Sequence, residues 1–438
     1  MPQDNDRRLP DSDSTPAVVR PSAVVAWQLG KDPADNADAE LLGQSVQFGA
    51  SVCDWKAPKR TVYFFADPHA DADAFMYSLR ASGAIKDNPA GKLSLTKRGK
   101  DAVFVIGGDC LDKGPSNLEL LRKVRQLIKT GAAVKILAGN HDVRLLMGLR
   151  AMKLKSSPQT DHLFVRMGAK VMPLFREVFD LYLRDNPKAL ASIPDADTCR
   201  TALFPSAEWF SEFPLAAAER VSEEAIRREL ERMRKKMDSF EKACANVGLT
   251  LREVYAAALH CRKLFLSNKG EFSWFFRDMQ LAYKSGSYLF IHAGLDDKVV
   301  QTMAECGLGG LNREYRKLIK NDLFDFYYGP LANTMRTKYR AVDLPFTNEG
   351  VVCAYQQGIH AVVHGHRNRH NGQRLMLRQG MLHIESDTTM DRNSRKKEGL
   401  DGIGYGVTIV HPQGQVIGIS ADYPAAKVFE PASYLQQG

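Results

Sequence analysis

The sequence predicts an α/β fold with a mostly parallel sheet, and three observations support this. Apolar runs of strand-forming residues at 61–66, 103–106 and 133–138 alternate with stretches of helical character. Each run ends in a small-residue turn followed by a polar cluster. The chain has 438 residues, of which 44% are hydrophobic and 25% charged, so it can bury a sizeable core. Because the carboxyl ends of parallel strands meet at one edge of a sheet, we expect the clusters to form one site.

The polar clusters follow the strands directly. The run 103–106 closes on Gly107 and Gly108, so the chain leaves a buried strand on a glycine turn and presents a carboxylate at its tip. Ser116 or Asn117 then caps the next helix, and the helix after the first strand ends at Gly83. The candidate residues at the three strand ends are Asp67, His69, Asp109, Asp112, Lys113, Asn140 and His141.

Residues 144 to about 285 contain almost no strand pattern and predict helices. The clearest helix has Ser222 as its N-cap and a coiled-coil-like seam of apolar residues. Thr250 and Glu253 form a capping box for a second helix, which predicts an antiparallel helical hairpin. We interpret the segment as an inserted helical cap in preference to a partner-binding arm. The seam residues are Ile226, Leu230, Met233, Met237, Phe240 and Cys244.

Strands return at 287–292, ending at His292, and again before Gly365 and His366. A helical stretch at 310–327 lies between them, and the remaining short β-segments predict an antiparallel layer. Carboxylate, imidazole and amide groups without a thiolate suit Mn, Fe or Zn, and not a structural zinc site. One such strand end has ordinary structural explanations, but five in succession predict a convergent metal site.

Charge and cysteine usage restrict the class of protein. The net charge of +9 includes two basic runs, at 227–236 and 392–397, which we interpret as a solvated helix face and a solvated loop; a nucleic-acid patch is the lesser alternative. Seven scattered cysteines without a CxxC pair indicate reduced thiols. No window is apolar enough to span a membrane and no secretory signal is visible, so we expect a cytoplasmic protein.

The strand-end motifs resemble those of a known family. DPH at 67–69, GDCLDKGPSN at 108–117, GNHD at 139–142, HAGL at 292–295 and VVHGHR at 362–367 resemble the calcineurin-like metallophosphoesterases. Within that family the chain is similar to the phosphoprotein phosphatase branch, which includes bacterial serine/threonine phosphatases and symmetrical diadenosine tetraphosphate hydrolases. The resemblance covers roughly 60–145 and 287–420.

The resemblance implies an αββα sandwich with a large helical insertion. We expect an N-terminal segment at 1–58, disordered to about residue 20. The catalytic domain is expected at 59–145 and 286–425, the helical insert or cap at 146–285, and a tail at 426–438.

The resemblance also implies a role for each motif residue. Two divalent ions would be bound, Mn, Fe or Zn, with Mn as the first choice in vitro. Asp109 would bridge them, and a shared hydroxide would attack phosphorus. His141 would protonate the leaving oxygen, oriented by Asp112. The first ion would take Asp67 and His69, the second Asn140, His292 and His366, and the phosphate ligands would be Lys113 with Arg336 or Arg340.

Several positions depart from the family pattern. Ala66 and Ala70 replace glycines, which we expect to have little effect. Lys113 replaces an arginine and keeps its charge without the bidentate fork. His366 is preferred to His364 as a ligand because it follows glycine, as in the family's GH motif. Asn368 stands where phosphodiesterase-like branches have a second histidine, which favours the phosphatase branch.

Two functions stay open at this stage. The first hypothesis is a dinuclear metal-dependent phosphomonoesterase, a serine/threonine protein phosphatase with a phosphorylated protein as its partner. The second is a hydrolase of dinucleoside polyphosphates, with a nucleotide substrate. A nucleic-acid end phosphatase and an inactive metal-binding interaction module rank lower. The insert follows GNHD and is placed to select the substrate. Its aromatic residues would form insert core, in preference to stacking on a base; they are Phe272, Trp274, Phe275 and Phe276. No membrane partner is expected, and the oligomeric state is unknown.

Overall fold

Two β-sheets packed face to face form the centre of the protein. A computed structural model describes residues 23–27, 29, 39–87, 92–186 and 188–435, so the expectation of disorder before residue 20 lies outside the described residues. The strands, numbered in chain order, are β1 (Ala23–Ala26), β2 (Val62–Phe65), β3 (Ile85–Asp87), β4 (Leu93–Leu95), β5 (Val103–Ile106), β6 (Ala133–Leu137), β7 (Met279–Gln280), β8 (Ala282–Ser285), β9 (Tyr288–Ile291), β10 (Ala361–His364), β11 (Arg374–Arg378), β12 (Met381–Glu385), β13 (Gly406–Val410), β14 (Val416–Ser420) and β15 (Ala425–Phe429).

Both large sheets combine parallel and antiparallel strands. The larger sheet has the order β1-β15-β14-β13-β2-β5-β6-β7, and the smaller has the order β11-β12-β10-β9-β8. Strands β2, β5, β6 and β7 are parallel, and β13 joins them antiparallel to β2. In the smaller sheet, β10 runs parallel to both β9 and β12. The parallel strands therefore end at common edges, as the sequence predicts.

The helices are also numbered in chain order. Before the end of β6 they are α1 (Ala39–Val52), α2 (Ala72–Ser82), α3 (Lys97–Lys100) and α4 (Asn117–Lys129). Between β6 and β7 they are α5 (Asn140–Ala151), α6 (Met172–Tyr182), α7 (Lys188–Ala191), α8 (Ala196–Leu203), α9 (Trp209–Ala217), α10 (Glu223–Asn246), α11 (Leu251–Leu266) and α12 (Ser273–Asp278), with a 3-10 helix at Val165–Val171. After β9 they are α13 (Asp297–Asn321), α14 (Leu323–Tyr328), α15 (Asn348–Gln356), α16 (Arg392–Glu398) and α17 (Ala432–Leu435), with a second 3-10 helix at Pro330–Met335.

The sheets enclose an apolar layer and are covered by helices outside. Phe64 of β2 and Phe290 of β9 meet across the layer with ring centroids 5.8 Å apart, and Val105 and Val363 are fully buried in it. A separate, larger cluster joins the outer sheet faces to the helices. These layers confirm the expected α/β sandwich with a large helical insertion. Helices α5 to α12 lie between two neighbouring strands of one sheet, while the domain limits given above stay predictions.

The inserted helices pack differently from the predicted hairpin. Ser222 and Thr250 cap α10 and α11 as expected, Thr250 in a capping box with Glu253. However, α10 packs mainly on the 3-10 helix at 165–171, and α11 mainly on α6. Phe240 of the seam lies between Phe164 and Phe204, with centroids 6.0 and 5.2 Å away. The predicted coiled-coil-like pairing of α10 with α11 is wrong, because the seam of α10 packs against other aromatic residues instead.

The two basic runs differ in how they are solvated. The segment 392–397 is helical, and Arg395 is buried, with its guanidinium paired with Asp422 at 2.8 Å. Arg392 pairs with Asp71, the N-cap residue of α2, at 2.9 Å. In the run at 227–236 the basic side chains of Arg227, Arg228, Arg232, Arg234 and Lys235 are exposed on a helix, as predicted, while Glu229 is buried in an ion pair with Arg166, 2.5 Å away. The interpretation of 392–397 as a solvated loop is wrong because the partners of its arginines are remote in sequence. No helix in the described part of the chain is long and apolar enough to cross a membrane.

One buried carboxylate organises the end of the smaller sheet. Glu385, the last residue of β12, is fully buried beside His364 of β10. Burial would raise its pKa, but His364 and the guanidinium groups of Arg369 and Arg374 hold the pKa well below its ordinary value. The arginine-to-carboxylate distances are 3.4 Å for Arg367, 2.6 Å for Arg369, 2.6 Å for Arg374 and 2.9 Å for Arg378.

Replacing this carboxylate should destabilise the fold strongly. Glu385→Gln leaves four guanidinium groups around a neutral amide, and breaking a buried ion pair from one side costs about 3–5 kcal/mol. We expect a loss of that size in the free energy of unfolding, measured by urea titration. Glu349→Gln is the control, because Glu349 is exposed and accepts a hydrogen bond from the Thr347 hydroxyl, with no ion pair among the described residues. A loss below about 1 kcal/mol would show that the arginines do not depend on Glu385.

Candidate metal centre

The residues that directly follow five strands lie close together. Strands β2, β5 and β6 of the larger sheet and β9 and β10 of the smaller end there. Within this cluster, possible ligand atoms of Asp67, His69 and Asp109 lie within 4.8 Å of one another, as do those of Asp109, His292 and His366. The structure thus brings together residues up to 299 positions apart in sequence, and Asp109 belongs to both groups.

Asp109 is the centre of the cluster. Its Oδ1 accepts a hydrogen bond from the backbone N–H of His141 at 2.8 Å. Its Oδ2 lies 3.8 Å from Nε2 of His69, 3.8 Å from Nε2 of His141 and 3.5 Å from Nε2 of His292. A single carboxylate therefore faces three imidazoles that come from different strand ends.

Asn140 joins the second group. Its side-chain amide lies 3.2 Å from Nε2 of His292, and the same end of the amide lies 2.9 Å from Nδ1 of His366. The backbone N–H of His366 donates to Oδ2 of Asp67 at 2.8 Å, which connects the two groups. His364 is buried with Nε2 unbonded, but it belongs to neither group, in agreement with the preference for His366.

The backbone at the cluster is strained. Asp67, His69, Asp109 and His366 have φ angles of 49°, 40°, 51° and 68°, in the left-handed region that residues other than glycine avoid. Each such residue costs on the order of 1–3 kcal/mol, and strain of this kind concentrates at functional sites. The strained residues here are four of the candidate ligands themselves.

The electrostatics fit a cation. Burial and the neighbouring Asp387 hold the pKa of Asp67 well above its ordinary value. Burial would also raise the pKa of Asp109, but His292 and His141 hold it well below. Burial would lower the pKa of His292, but Asp109 and Asp67 raise it to about 10. Oδ1 of Asp67 and Nε2 of His366 are buried without a hydrogen-bond partner. This donor set suits Mn, Fe or Zn, so the residues present fit divalent ions.

Surrounding groups orient the ligands. Nδ1 of His292 bonds the Gly107 carbonyl at 2.8 Å, and Nδ1 of His69 bonds the Leu111 carbonyl at 3.2 Å, so both present Nε2 to Asp109. The buried carboxylate of Asp142 accepts from the backbone N–H groups of Cys110 and Leu111 at 3.2 and 3.0 Å. Asp142 is the last residue of the GNHD motif, and it braces the loop that carries Asp109.

His141 and Asp112 form a pair beside Asp109. Nδ1 of His141 lies 2.7 Å from Oδ2 of Asp112, and both side chains are buried. The backbone N–H of Asp112 donates to Oδ1 of Asn117 at 2.9 Å, which ties the loop to the start of α4. Lys113 reaches the cluster, because its Nζ lies 2.7 Å from Nε2 of His69.

The two candidate arginines lie in other contacts. Arg340 is exposed and pairs with Asp343 at 3.1 Å, and Arg336 lies over the Tyr327 ring, 5.1 Å from its centroid. The charge of Lys338, which lies between them in sequence, acts on His366: burial lowers the pKa of that imidazole, and His292 and Lys338 lower it further. The phosphate-binding roles of Lys113, Arg336 and Arg340 stay predictions.

Two further residues near the centre were not found from the sequence. Asp387 is buried after β12, and burial raises its pKa to about 6. Glu177 of α6 accepts from Ser116 Oγ at 2.5 Å and from the N–H groups of Asn117 and Leu118 at 2.9 and 3.2 Å. The polar ESDT segment after β12 was a weak signal for Asp387, whereas nothing local distinguishes Glu177.

Comparison with known proteins agrees with this geometry. Residues 60–229 match the family model of the calcineurin-like phosphoesterases. The match lies in the first part of the chain, and over these residues the chain is similar to that family. The match confirms the resemblance to calcineurin-like phosphoesterases that the sequence motifs indicated.

Individual relatives are more distant. Over 95 residues the chain is 35% identical to the symmetrical bis(5'-nucleosyl)-tetraphosphatase of Psychromonas ingrahamii, a match that covers 19% of this chain and 32% of that protein. Crystal structures of a cold-active protein tyrosine phosphatase from a Shewanella species give a TM-score of 0.41 at 14% identity, over 85% of this chain and 80% of that one. A protein serine/threonine phosphatase from Saccharomyces cerevisiae gives 0.34 at 12% identity, over 90% of each chain. Likenesses at these TM-scores do not bear on function.

Removing the shared carboxylate should reduce metal binding at both groups. In Asp109→Asn the charge that faces three imidazoles is lost, so we expect the manganese content after loading and desalting to fall by at least half. Elemental analysis gives the ratio of metal to protein. Asp238→Asn, on the exposed face of α10, is the matched control and should bind as the parent does. A fully loaded Asp109→Asn protein would contradict the shared-ligand assignment.

Metal binding should also depend on pH. In the metal-free protein, charged His292 contributes stability that is fully present below pH 6.5 and is lost as the pH rises through about 10. A metal ion must displace that proton, so Mn²⁺ affinity should rise about tenfold per pH unit between pH 7 and 9. Calorimetry in buffers of different ionisation enthalpy should show about one proton released per binding event. A pH-independent affinity would contradict a charged His292.

Proposed function

We propose that this protein is a dinuclear metal-dependent phosphomonoester hydrolase and that its substrate is a phosphorylated serine or threonine of a protein. The observation that supports this most is the pair of ligand groups that share Asp109, with His141 and Asp112 beside them. Two divalent ions held there would polarise the phosphoryl group and activate water. We take manganese as the first ion to test. The seven free cysteines favour a reducing compartment such as the cytoplasm.

We assign the ligands by their grouping. Asp67 and His69 would hold one ion, Asn140, His292 and His366 the other, and Asp109 would contact both. The carboxylates provide two negative charges, which favour divalent cations over a lone positive side chain. The backbone hydrogen bond from His366 to Asp67 keeps the two groups together whatever the substrate.

His141 is the candidate general acid. Because Asp112 bonds Nδ1, the Nε2 atom points to Asp109 Oδ2, 3.8 Å away, and therefore toward the reacting centre. A proton on Nε2 can pass to the leaving oxygen of the phosphoester, and Asp112 stabilises the charged imidazole before the transfer. Lys113 brings a positive charge to the same place and would contact a phosphoryl oxygen as a point charge.

The aromatic residues of the insert favour a phosphoprotein over a dinucleotide. Phe272, Trp274 and Phe275 are 1%, 3% and 0% exposed and pack in the core, so their faces are not available to an adenine ring. Phe276 is half-buried and packs on Phe265 and Phe275, with centroids 5.5 and 5.0 Å away. The second candidate, a dinucleoside polyphosphate hydrolase, is favoured by the partial match to a symmetrical tetraphosphatase. The two functions differ in the bond cleaved and in the products.

A direct comparison of substrates tests this proposal. The manganese-loaded protein is assayed for phosphate release from a phosphothreonine peptide and for nucleotide products from diadenosine tetraphosphate. We expect kcat/KM to favour the peptide by about a hundredfold, or roughly 2.7 kcal/mol. Preference for the dinucleotide would replace the first function with the second. Turnover of neither by a fully loaded protein would contradict both.

Loss of the general acid should affect turnover and not metal binding. For His141→Ala we expect an unchanged metal content and a kcat lowered by about 10²–10⁴ on phosphothreonine peptides. The decrease should be smaller for p-nitrophenyl phosphate, whose leaving group needs no proton. His370→Ala is the control, since this exposed imidazole pairs with Glu398 and has no contact with Asp109 among the described residues. Equal decreases on both substrates, or loss of metal, would argue against the acid role.

A further inference from the structure

A basic groove crosses the helical insert on the side where three helices end. Three cavities of about 710, 370 and 690 Å³ adjoin one another, and Arg262 lines all of them. The groove lies at the C-terminal ends of α5, α11 and α13. We define the basic groove by the six lysines and arginines that line it without an ion pair in the described part of the chain, namely Arg150, Lys153, Lys188, Arg262, Lys263 and Lys320. Arg277 also lines one cavity, but its charge is paired with Asp278 at 2.9 Å.

Basic residues outnumber acidic residues much more strongly in the groove than in the whole chain. The chain has 60 basic and 51 acidic residues, but Asp322 is the one carboxylate that lines the three cavities in the described part of the chain, and it caps α14. None of the six cations has an ion pair among the described residues. Elsewhere in the insert, Arg176 and Arg184 share Asp180 at 2.8 and 2.5 Å. The groove therefore concentrates unpaired positive charge.

The negative ends of the helices neutralise only part of the positive charge of the groove. Each C-terminus carries about half a negative charge. Arg150 donates to the Lys320 carbonyl at 3.3 Å, and Arg262 donates to the Leu149 carbonyl. Three helix ends and Asp322 together offset roughly two to three of six positive charges. Nε of Arg150, where two of the cavities meet, is buried without an acceptor. The remaining charge attracts an anionic ligand.

The side chains that line the groove indicate whether it suits a nucleic acid or an acidic peptide. Leu183, Ile193, Leu259 and Leu266 form an aliphatic lining in the largest cavity. The other two cavities are also lined by Phe265, Phe276 and Phe324. Phe265 and Phe324 are buried, and Phe276 packs against Phe265 and Phe275 with centroids 5.5 and 5.0 Å away. Tyr182 stacks on His260 with centroids 4.8 Å apart and bonds Glu271 through its hydroxyl. Single-stranded nucleic acids bind mainly by stacking bases on free aromatic faces in a basic channel. Aliphatic pockets between cations suit a peptide with alternating acidic and apolar side chains.

We propose that the basic groove binds an acidic segment of a partner protein in an extended conformation. The partner is a phosphoprotein substrate if the proposed function holds. In that case the length of α5 sets the smallest spacing along the substrate between the acidic segment and the phosphorylated residue. This helix begins beside Asp109 with His141 and reaches the groove at Arg150, about 14 Å along its axis. An extended chain covers about 3.3 Å per residue. The acidic segment would then lie at least about four residues from the phosphorylated residue.

Binding can be measured without turnover. We would follow the fluorescence anisotropy of a labelled peptide of alternating Glu and Leu with the full-length, manganese-loaded protein. The matched Gln and Leu peptide should bind at least tenfold more weakly, and affinity should fall with added salt. An oligothymidylate of equal length is the nucleic-acid comparison. Tighter binding of the oligonucleotide would overturn the peptide assignment, and no anisotropy change with either probe would overturn the site.

Charge-reversal variants test whether the acidic peptide binds in the basic groove. Lys153→Glu with Lys188→Glu changes two exposed side chains and should weaken the peptide at least tenfold without affecting folding. Lys235→Glu on α10, outside the groove, should bind as the parent does. All variants should hydrolyse p-nitrophenyl phosphate normally if the proposed function holds. Unchanged peptide affinity in the double variant would overturn the site, whereas a protein that binds the peptide but hydrolyses no phosphoester would contradict only the proposed function.

Discussion

The position of the Asp109 carboxylate is the constraint on which the rest of the site depends. Both of its oxygens face groups from other strand ends, three imidazoles and one backbone N–H. To reach that position, β5 and β6 must end almost in contact. A Cβ atom on Gly139 would lie 1.9 Å from the backbone nitrogen of Asp109, and Gly108 has a φ of 88°. Glycine at these two positions lets the strand ends approach.

Holding such a cluster requires support from outside it. Buried carboxylates and strained backbone both disfavour folding, so the loop that carries them is tied at several points. Asp142 holds the loop from β6, and Glu177 holds the start of α4 from the inserted helices. Arg392 of α16 holds Asp71 behind the first ligands. The insert is therefore part of the support of the site, in addition to any role in choosing substrates.

The sequence was informative where the signal is local. The strand ends, the glycine turns and the caps at Ser116, Ser222 and Thr250 follow from residues a few positions apart, and the structure has them where expected. The family motifs are short, local patterns as well. The seven polar side chains that they predicted to converge lie in one cluster. Interpretation failed for the basic run at 392–397, because Arg395 and Arg392 bond carboxylates at Asp422 and Asp71, which no local pattern reveals.

The sequence by itself determined the fold class, the order of the strands that end in polar residues, and the identity of the candidate ligands. Hydrophobic periodicity, turn chemistry and short motifs encode these features within a few residues. Only the tertiary structure decided which side chains pair across the chain. It placed Glu229 in the core with Arg166, brought the charge of Lys338 within reach of His366, and left Asp322 as the single carboxylate of the described residues that lines the groove around Arg262. These outcomes depend on which distant segments pack together, and the burial and charge balance of a residue exist only after that packing.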